Sequence, residues 1–196
     1  RTVLEVLRQP LEDREVHISR VNAAFTYPAD FILIAAMNPC PCGYLGDPQR
    51  ECTCTDGEIR RYGQKISGPL LDRIDLHVSV MRPKYSELTA TIQGEPSCDI
   101  AKRVAEARAV QAERLSRWHM QSNAQMGHRQ LKETCQLDAE GTEMLRVVFE
   151  KLHLSARSYD RIIKVARTIA DLAGSDQIRP EHVAEAISFR NMINGK

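Results

Sequence analysis

Four of the six cysteines stand in two close pairs, Cys40-Pro41-Cys42 and Cys52-Thr53-Cys54. In extended backbone, residues two apart point the same way, so each pair offers two sulfurs on one side. Four such thiolates can close a tetrahedral Zn²⁺ site and staple the stretch between them, which carries Gly43, Gly46, Asp47 and Pro48 and is too short and polar to build a core. The spacing also fits four reduced surface thiols or two pairs in redox exchange, and C-x-C is less diagnostic than C-x-x-C. Cys98 and Cys135 stand alone and read as packing residues.

Three further positions carry groups suited to phosphate chemistry. Asn38 ends the apolar run Phe31-Ile32-Leu33-Ile34-Ala35-Ala36-Met37. At the C-terminal edge of a strand, where ligands bind in open α/β sheets, its amide could orient a water or a phosphate oxygen; Asn-Pro is equally a plain turn. Arg73 lies between Asp72 and Asp75. It reads either as a structural ion pair or as a planar fork presented across a subunit boundary to phosphate oxygens. Arg157 and Arg161 fall one helical turn apart and read as solvated surface or as phosphate contacts. The chain contains no G-x-x-x-x-G-K-[ST] and no G-x-G-x-x-G, hence no phosphate-cradling loop of its own, and neither G-x-S-x-G nor H-E-x-x-H.

The elements that must position these groups change character along the chain. The first half mixes short pieces: a helical apolar spacing through Val3, Leu4, Val6, Leu7 and Leu11, a hairpin of Glu15 to Arg20 with Ala24 to Tyr27, and the run Phe31 to Ala36. That run lacks alternation and predicts a fully buried parallel strand, with a second strand at Leu76 to Val80. Beyond Pro96 the pattern is helical, which puts a boundary near residue 95. Four amphipathic helices are predicted: one capped by Ser97 or Asp99 that buries Ile100, Val104, Ala107, Leu115 and Trp118; one from Asp138; one capped by Ser155 or Ser158 that stops at Gly174; and one opened by Pro180.

Composition excludes several classes. With 196 residues, 42% hydrophobic and 27% charged, the chain is neither disordered nor fibrous. Its longest apolar run is seven residues, against the ~20 that cross a bilayer, so no membrane role is expected. No signal segment opens it, and a cytoplasmic location is expected. It begins with Arg1, which reads as the start of a fragment. The balance of 27 basic and 26 acidic residues leaves any nucleic-acid contact to a local patch.

The stretch Ala35-Ala36-Met37-Asn38-Pro39-Cys40-Pro41-Cys42-Gly43, followed by Ser67-Gly68-Pro69-Leu70-Leu71-Asp72-Arg73-Ile74-Asp75-Leu76, resembles the ComM/YifB family of magnesium-chelatase-like AAA+ ATPases. The resemblance continues through Leu154 to Tyr159 and Val165 to Leu172. It implies a fold of class α/β plus all-α: residues 1–95 as the C-terminal part of an AAA+ core with a hairpin and a Cys-rich insertion, and residues 96–196 as a helical lid. The family's N-terminal domain, P-loop and acidic Walker B strand would lie upstream. Residue by residue, Asn38 resembles the sensor-1 group that helps place the attacking water. Arg73 falls where the arginine finger reaches into the neighbouring subunit's site. Arg157 resembles the sensor-2 arginine, with Arg161 as the fallback. The cofactors implied are ATP and Mg²⁺. The hairpin matches the insertion that projects toward the channel in MCM helicases, which makes His17, Arg20 and Asn22 candidate DNA contacts; a hairpin can equally serve subunit packing.

Two activities follow for the full-length protein. The first is an ATP-driven hexameric DNA motor, a helicase-like branch-migration enzyme associated with natural transformation; the second is a chelatase-type subunit that remodels a partner for Mg²⁺ insertion into a porphyrin. The tetracysteine insertion favours the first. A third reading makes the chain a zinc-stapled interaction module. Residues 1–196 alone are expected to be inactive, because a finger serves a neighbour and the sensors serve a site whose phosphate loop lies elsewhere.

Overall fold

The computed structural model describes residues 2–21, 23–83, 85, 89, 94–152 and 154–190. Two compact units form: Arg1–Ile74 with Val80–Arg82, and Asp75–Ser79 with Pro83–Lys196.

In the first unit the apolar spacing at the start makes two short helices, α1 (Thr2–Val6) and α2 (Arg8–Asp13), with Leu7 between them. Arg14 ends α2 in the left-handed region at φ +58° and donates its backbone N–H to the Pro10 carbonyl at 3.0 Å. The chain then turns into the expected hairpin, β1 (Glu15–Arg20) antiparallel to β2 (Ala23–Pro28). Its register pairs Val16 with Tyr27 and Ile18 with Phe25, so one face gathers Val16, Ile18, Arg20, Phe25 and Tyr27 and the other Glu15, His17, Ser19 and Thr26.

Two more helices follow. Helix α3 (Asp56–Gly63) opens on a reciprocal capping box: the Glu58 N–H donates to Thr55 Oγ1 and the Thr55 N–H to the Glu58 carboxylate. The single turn α4 (Gly68–Leu71) is capped by Ser67, with Pro69 in its first turn.

The run Phe31 to Ala36 does not form the buried strand its composition predicts. It has no regular secondary structure and pairs with no strand, with Ile32 87% and Ile34 90% exposed. Leu76 to Val80 is likewise not a strand, and Val78 and Val80 are exposed. A strand with apolar side chains on both faces is stable only between neighbouring strands and under covering helices. Among the described residues the only sheet is the two-stranded hairpin.

The second unit is helical: α5 (Ser97–Leu115), α6 (His128–Thr134), α7 (Ala139–Lys151), α8 (Ala156–Leu172) and α9 (Pro180–Ser188), with 3₁₀ turns at Ser116–Trp118 and Asn123–Gln125. Helix α8 is central and buries Ile162, Ile163, Ala166 and Ala170 against Leu115, Met126, Leu131, Leu145, Val183 and Ile187. The caps act as the sequence predicts: Asp138 accepts the Gly141 N–H at 2.7 Å, Ser155 the Ser158 N–H at 3.1 Å, Gly174 stands at φ +65° after α8, and Pro180 opens α9. Helix α5 departs from expectation. Its N-cap is Pro96 and not Ser97 or Asp99, and Ile100 and Val104 are exposed, because only its second half, from Ala107 through Gln111 to Leu115, is buried.

One ionic knot lies inside this unit. The Asp171 carboxylate is fully buried; it accepts two bonds from Arg114 at 2.7 Å, one from Arg167 Nε at 3.0 Å and one from Asn123 Nδ2 at 2.8 Å. Asn123 also accepts from Arg114 at 2.8 Å, donates to Thr168 Oγ1 at 3.0 Å and sends its backbone N–H to Gln111 Oε1 at 3.1 Å. Such a carboxylate is tolerable inside because two guanidinium groups and an amide satisfy it together.

Candidate functional site

The four paired cysteines converge. Their sulfurs all lie within 4.8 Å of one another, with Cys40 to Cys42 at 3.3 Å, Cys40 to Cys52 at 3.7 Å and Cys42 to Cys52 at 3.6 Å. Disulfide sulfurs sit about 2.05 Å apart, and all four are free thiols. Zn–S bonds of about 2.3 Å in a tetrahedron put neighbouring sulfurs about 3.8 Å apart, so this donor set fits a closed structural metal site. The loop is shaped for it: Gly43 and Gly46 stand at φ +84° and +81°, and Asp47 accepts the backbone N–H groups of Gln49 and Arg50. Arg50 closes the outside, bonding Tyr44 Oη at 2.7 Å with its guanidinium over the same ring.

The cluster is electrostatically uneven. Backbone N–H groups of Tyr44 and Thr53 pull Cys42 down to about 5, so it is a thiolate at neutral pH. Burial raises Cys40, but the N–H groups of Leu45 and Gly43 and the Cys52 thiol outweigh it and lower the group. Cys52 and Cys54 go the other way: each takes a backbone N–H, from Cys54 and Cys42 respectively, yet burial and neighbouring sulfurs win, and Cys54 is pushed up to about 12. Of the two isolated cysteines, Cys135 is buried as expected, and burial raises its thiol; Cys98 is exposed and does not pack.

Asn38 stands two residues before the first of these sulfurs, and its side chain lies over the knuckle. A Cβ built on Gly43 would come 3.8 Å from Asn38 Nδ2, ordinary van der Waals contact. Asn38 is exposed, at the end of the apolar run 31–37.

Arg73 follows α4 and is largely covered. Its Nε meets the Glu12 carboxylate at 3.0 Å, and its Nη1 donates to the Pro69 carbonyl at 2.7 Å. One turn back on α2, Arg8 pairs with Glu5 at 2.7 Å and donates to Ser67 Oγ at 3.1 Å. Arg8 and Glu12 therefore grip the two ends of α4. Sequence reasoning missed both; their i, i+4 spacing on a short helix was the available signal.

On α8, Arg157 is exposed in the first turn. Arg161, one turn on, is mostly covered and donates to the Asp75 carboxylate. Of the three hairpin candidates, Asn22 lies outside the described residues. His17 bonds Thr26 Oγ1 at 2.8 Å on the polar face, whereas Arg20 lies on the aromatic one, so strand alternation separates the pair.

Comparison with known proteins matches residues 1–88 to the family described as magnesium chelatase, subunit ChlI, and residues 94–190 to magnesium chelatase, subunit ChlI C-terminal. The chain is 42% identical to competence protein ComM of Haemophilus influenzae over 98% of its length, and 40% identical to the uncharacterized protein YifB of Escherichia coli over 97%. An uncharacterized protein of Mycobacterium tuberculosis is 39% identical over 96% of the chain. The chain spans 37% of the length of each of these curated relatives. It belongs to the magnesium-chelatase-like family and is a homologue of ComM and YifB.

Proposed function

We propose that the chain is the C-terminal portion of an AAA+ ATPase whose subunits assemble into a hexameric ring and move DNA in the cytoplasm, using ATP and Mg²⁺. Residues 1–95 belong to the ATPase core and 96–196 to its lid, a division in keeping with two family matches that meet between residues 88 and 94. The observation that carries this reading is the 42% identity to a competence protein across nearly the entire chain.

Each site residue has a task in phosphoryl transfer, where positioning and charge stabilisation do nearly all the work. Asn38 orients the attacking water. Arg157 meets the terminal phosphate of its own subunit's nucleotide, and Arg73 that of the neighbour's. Arg161, paired with Asp75, is the fallback for the lid role. Cys40, Cys42, Cys52 and Cys54 hold Zn²⁺, which when bound supplies rigidity and no chemistry. The residues themselves then keep Asn38 over Gly43 at the end of an otherwise unsupported segment. The apolar runs at 31–37 and 76–80 take their neighbouring strands from the remainder of the full-length protein. Hairpin residues His17, Arg20 and Asn22 contact the DNA strand. No described helix is long and apolar enough to cross a membrane.

The test is ATP turnover by the full-length protein with and without single-stranded and forked DNA, beside Arg73→Ala. Stimulation by DNA, with a loss of about 10³-fold or more in the variant, is expected. Arginine-dependent turnover indifferent to DNA would favour the second reading, a partner-remodelling chelatase-type subunit, which the ChlI family description supports. Normal turnover by Arg73→Ala would remove the finger assignment.

A further inference from the structure

Arg73, the Glu12 carboxylate and the Pro69 carbonyl all lie inside the first compact unit. The backbone under the arginine is a tight turn: the Arg73 N–H donates to the Leu70 carbonyl at 3.0 Å, and the Ile74 N–H to the Leu71 carbonyl at 3.0 Å. The side chain is fixed as well. Its Nε lies 3.0 Å from Glu12 Oε2, and its Nη1 donates to the Pro69 oxygen at 2.7 Å. Two contacts at different nitrogens set both the place and the plane of a rigid fork, and only 14% of the side chain is exposed.

Glu12 stands on a helix that is itself held at both ends. Near the start of α2, Arg8 pairs with Glu5 at 2.7 Å and donates to Ser67 Oγ at 3.1 Å; just past its end, the Ala29 N–H donates to the Arg14 carbonyl at 2.7 Å. Ser67 Oγ also accepts the Leu70 N–H at 3.3 Å, so Arg8 already docks α4 on α2. A second bridge from Glu12, whose side chain is 31% exposed, contributes little to that docking. What it adds is a fixed guanidinium.

We propose that Glu12 is the positioning residue for Arg73: its carboxylate, presented by α2 of the same subunit, holds the guanidinium ready for the phosphate oxygens of the neighbouring subunit's nucleotide. The inference rests on the role given above to Arg73. A donor already aimed at developing charge needs no reorganisation when the reaction occurs. An arginine without such a support gives up its rotamer freedom each time it engages, and a misplacement of about 1 Å costs about 10²-fold in rate. Glu12 acts through Arg73 and not on the nucleotide.

The experiment measures ATP turnover by the full-length protein carrying Glu12→Ala or Glu12→Gln, alone and mixed with Arg157→Ala subunits. Glu12→Ala is expected to lower the plateau rate about tenfold and to leave half-saturation within about twofold, because the lost contact serves the transition state. Glu12→Gln, which keeps the length and an acceptor oxygen, recovers most of the rate. The mixture assigns the defect to a subunit. When Glu12 serves the next site through Arg73, equal amounts of Glu12→Ala and Arg157→Ala subunits complete about one site in four and run at about a quarter of the wild-type rate. When Glu12 serves its own subunit's site, or the fold alone, the mixture stays at about one-twentieth, half the rate of Glu12→Ala by itself. A mixture at that lower level, an unchanged plateau, a change confined to half-saturation, or a Glu12→Gln no better than Glu12→Ala overturns the proposal. Where Glu12→Ala fails to assemble, Glu12→Asp, which keeps the charge but draws it back by one methylene, carries the same mixing test. Arg73→Ala mixed with Arg157→Ala is the control: its failure strikes the arginine assignments themselves, whereas its success beside failure of the Glu12 mixture strikes Glu12 alone.

Discussion

The two units bury themselves to very different extents. The second packs a continuous apolar core around α8 and ties its helices together through Asp171. Among its described residues the first buries Cys40, Leu70 and Pro10, and it leaves Phe31, Ile32, Ile34 and Met37 in the open. Its order comes from local devices: a capping box, a paired hairpin, four converging sulfurs and the Arg8 and Glu12 bridges. A region with a core is stable by itself, whereas one held by local devices needs something added. On the proposed reading the additions are a metal at the four-sulfur loop and strands beside the exposed runs.

The comparison can be broken at its strongest point first. Asp171→Ala removes a fully buried carboxylate and leaves Arg114 and Arg167 facing each other without a counter-charge. A loss of about 3–5 kcal/mol is expected in denaturant unfolding of the second unit, because an unpartnered buried charge costs its desolvation. The zinc content of the first unit should not change. A loss below about 1 kcal/mol would show that the knot is not what ties the helices together.

Metal removal sharpens the other half. A strong chelator should open the loop 40–54 to proteolysis and leave the melting of the second unit where it was. Cys42→Ser should abolish stoichiometric zinc binding, read by elemental analysis. The pH dependence has a fixed sign. Cys42, down at about 5, already carries its charge at neutral pH, while Cys54, up at about 12, still holds a proton that zinc must displace. Affinity should therefore rise with pH, by about tenfold per unit for each proton displaced, and a pH-independent affinity between pH 6 and 8 would contradict the assignment of the fourth ligand.

The smallest effect expected is at α3. The Thr55 backbone N–H and hydroxyl hold the Glu58 carboxyl below its ordinary range. A lowered folded value means the cap's contribution is complete above the unfolded value, about pH 4.3, and is lost as pH falls through the lower folded one. Circular dichroism between pH 5 and 2 should show this loss in the wild type and a flat response at α3 in Glu58→Gln.

What could be read in the sequence was whatever short-range chemistry dictates. Asp138, Ser155, Gly174 and Pro180 each mark a helix end by their own backbone or side-chain properties, and the C-x-C spacing was enough to bring four sulfurs together. The Glu15 to Arg20 hairpin follows from adjacent segments that pair locally. The failures are long-range. The run Phe31 to Ala36 has the composition of a central strand, but composition cannot provide the neighbours. Asp72, Arg73 and Asp75 suggest a local ion pair, yet the acid on Arg73 comes from α2, and Asp75 bonds a residue 86 positions away. The i, i+4 pair Arg167 and Asp171 looks like an ordinary helix surface pair until Arg114, 57 positions from Asp171, closes over it.

The central claim is that Arg157 acts in its own subunit while Arg73 acts in the next. Full-length Arg73→Ala and Arg157→Ala, each nearly inactive alone, should complement when mixed at equal amounts and allowed to reassemble. A site on an Arg73→Ala subunit beside an Arg157→Ala neighbour has both arginines intact, and random mixing in a ring makes about one site in four complete. Turnover of about a quarter of the wild-type rate is the expected result. A mixture no more active than its two parents would contradict the account.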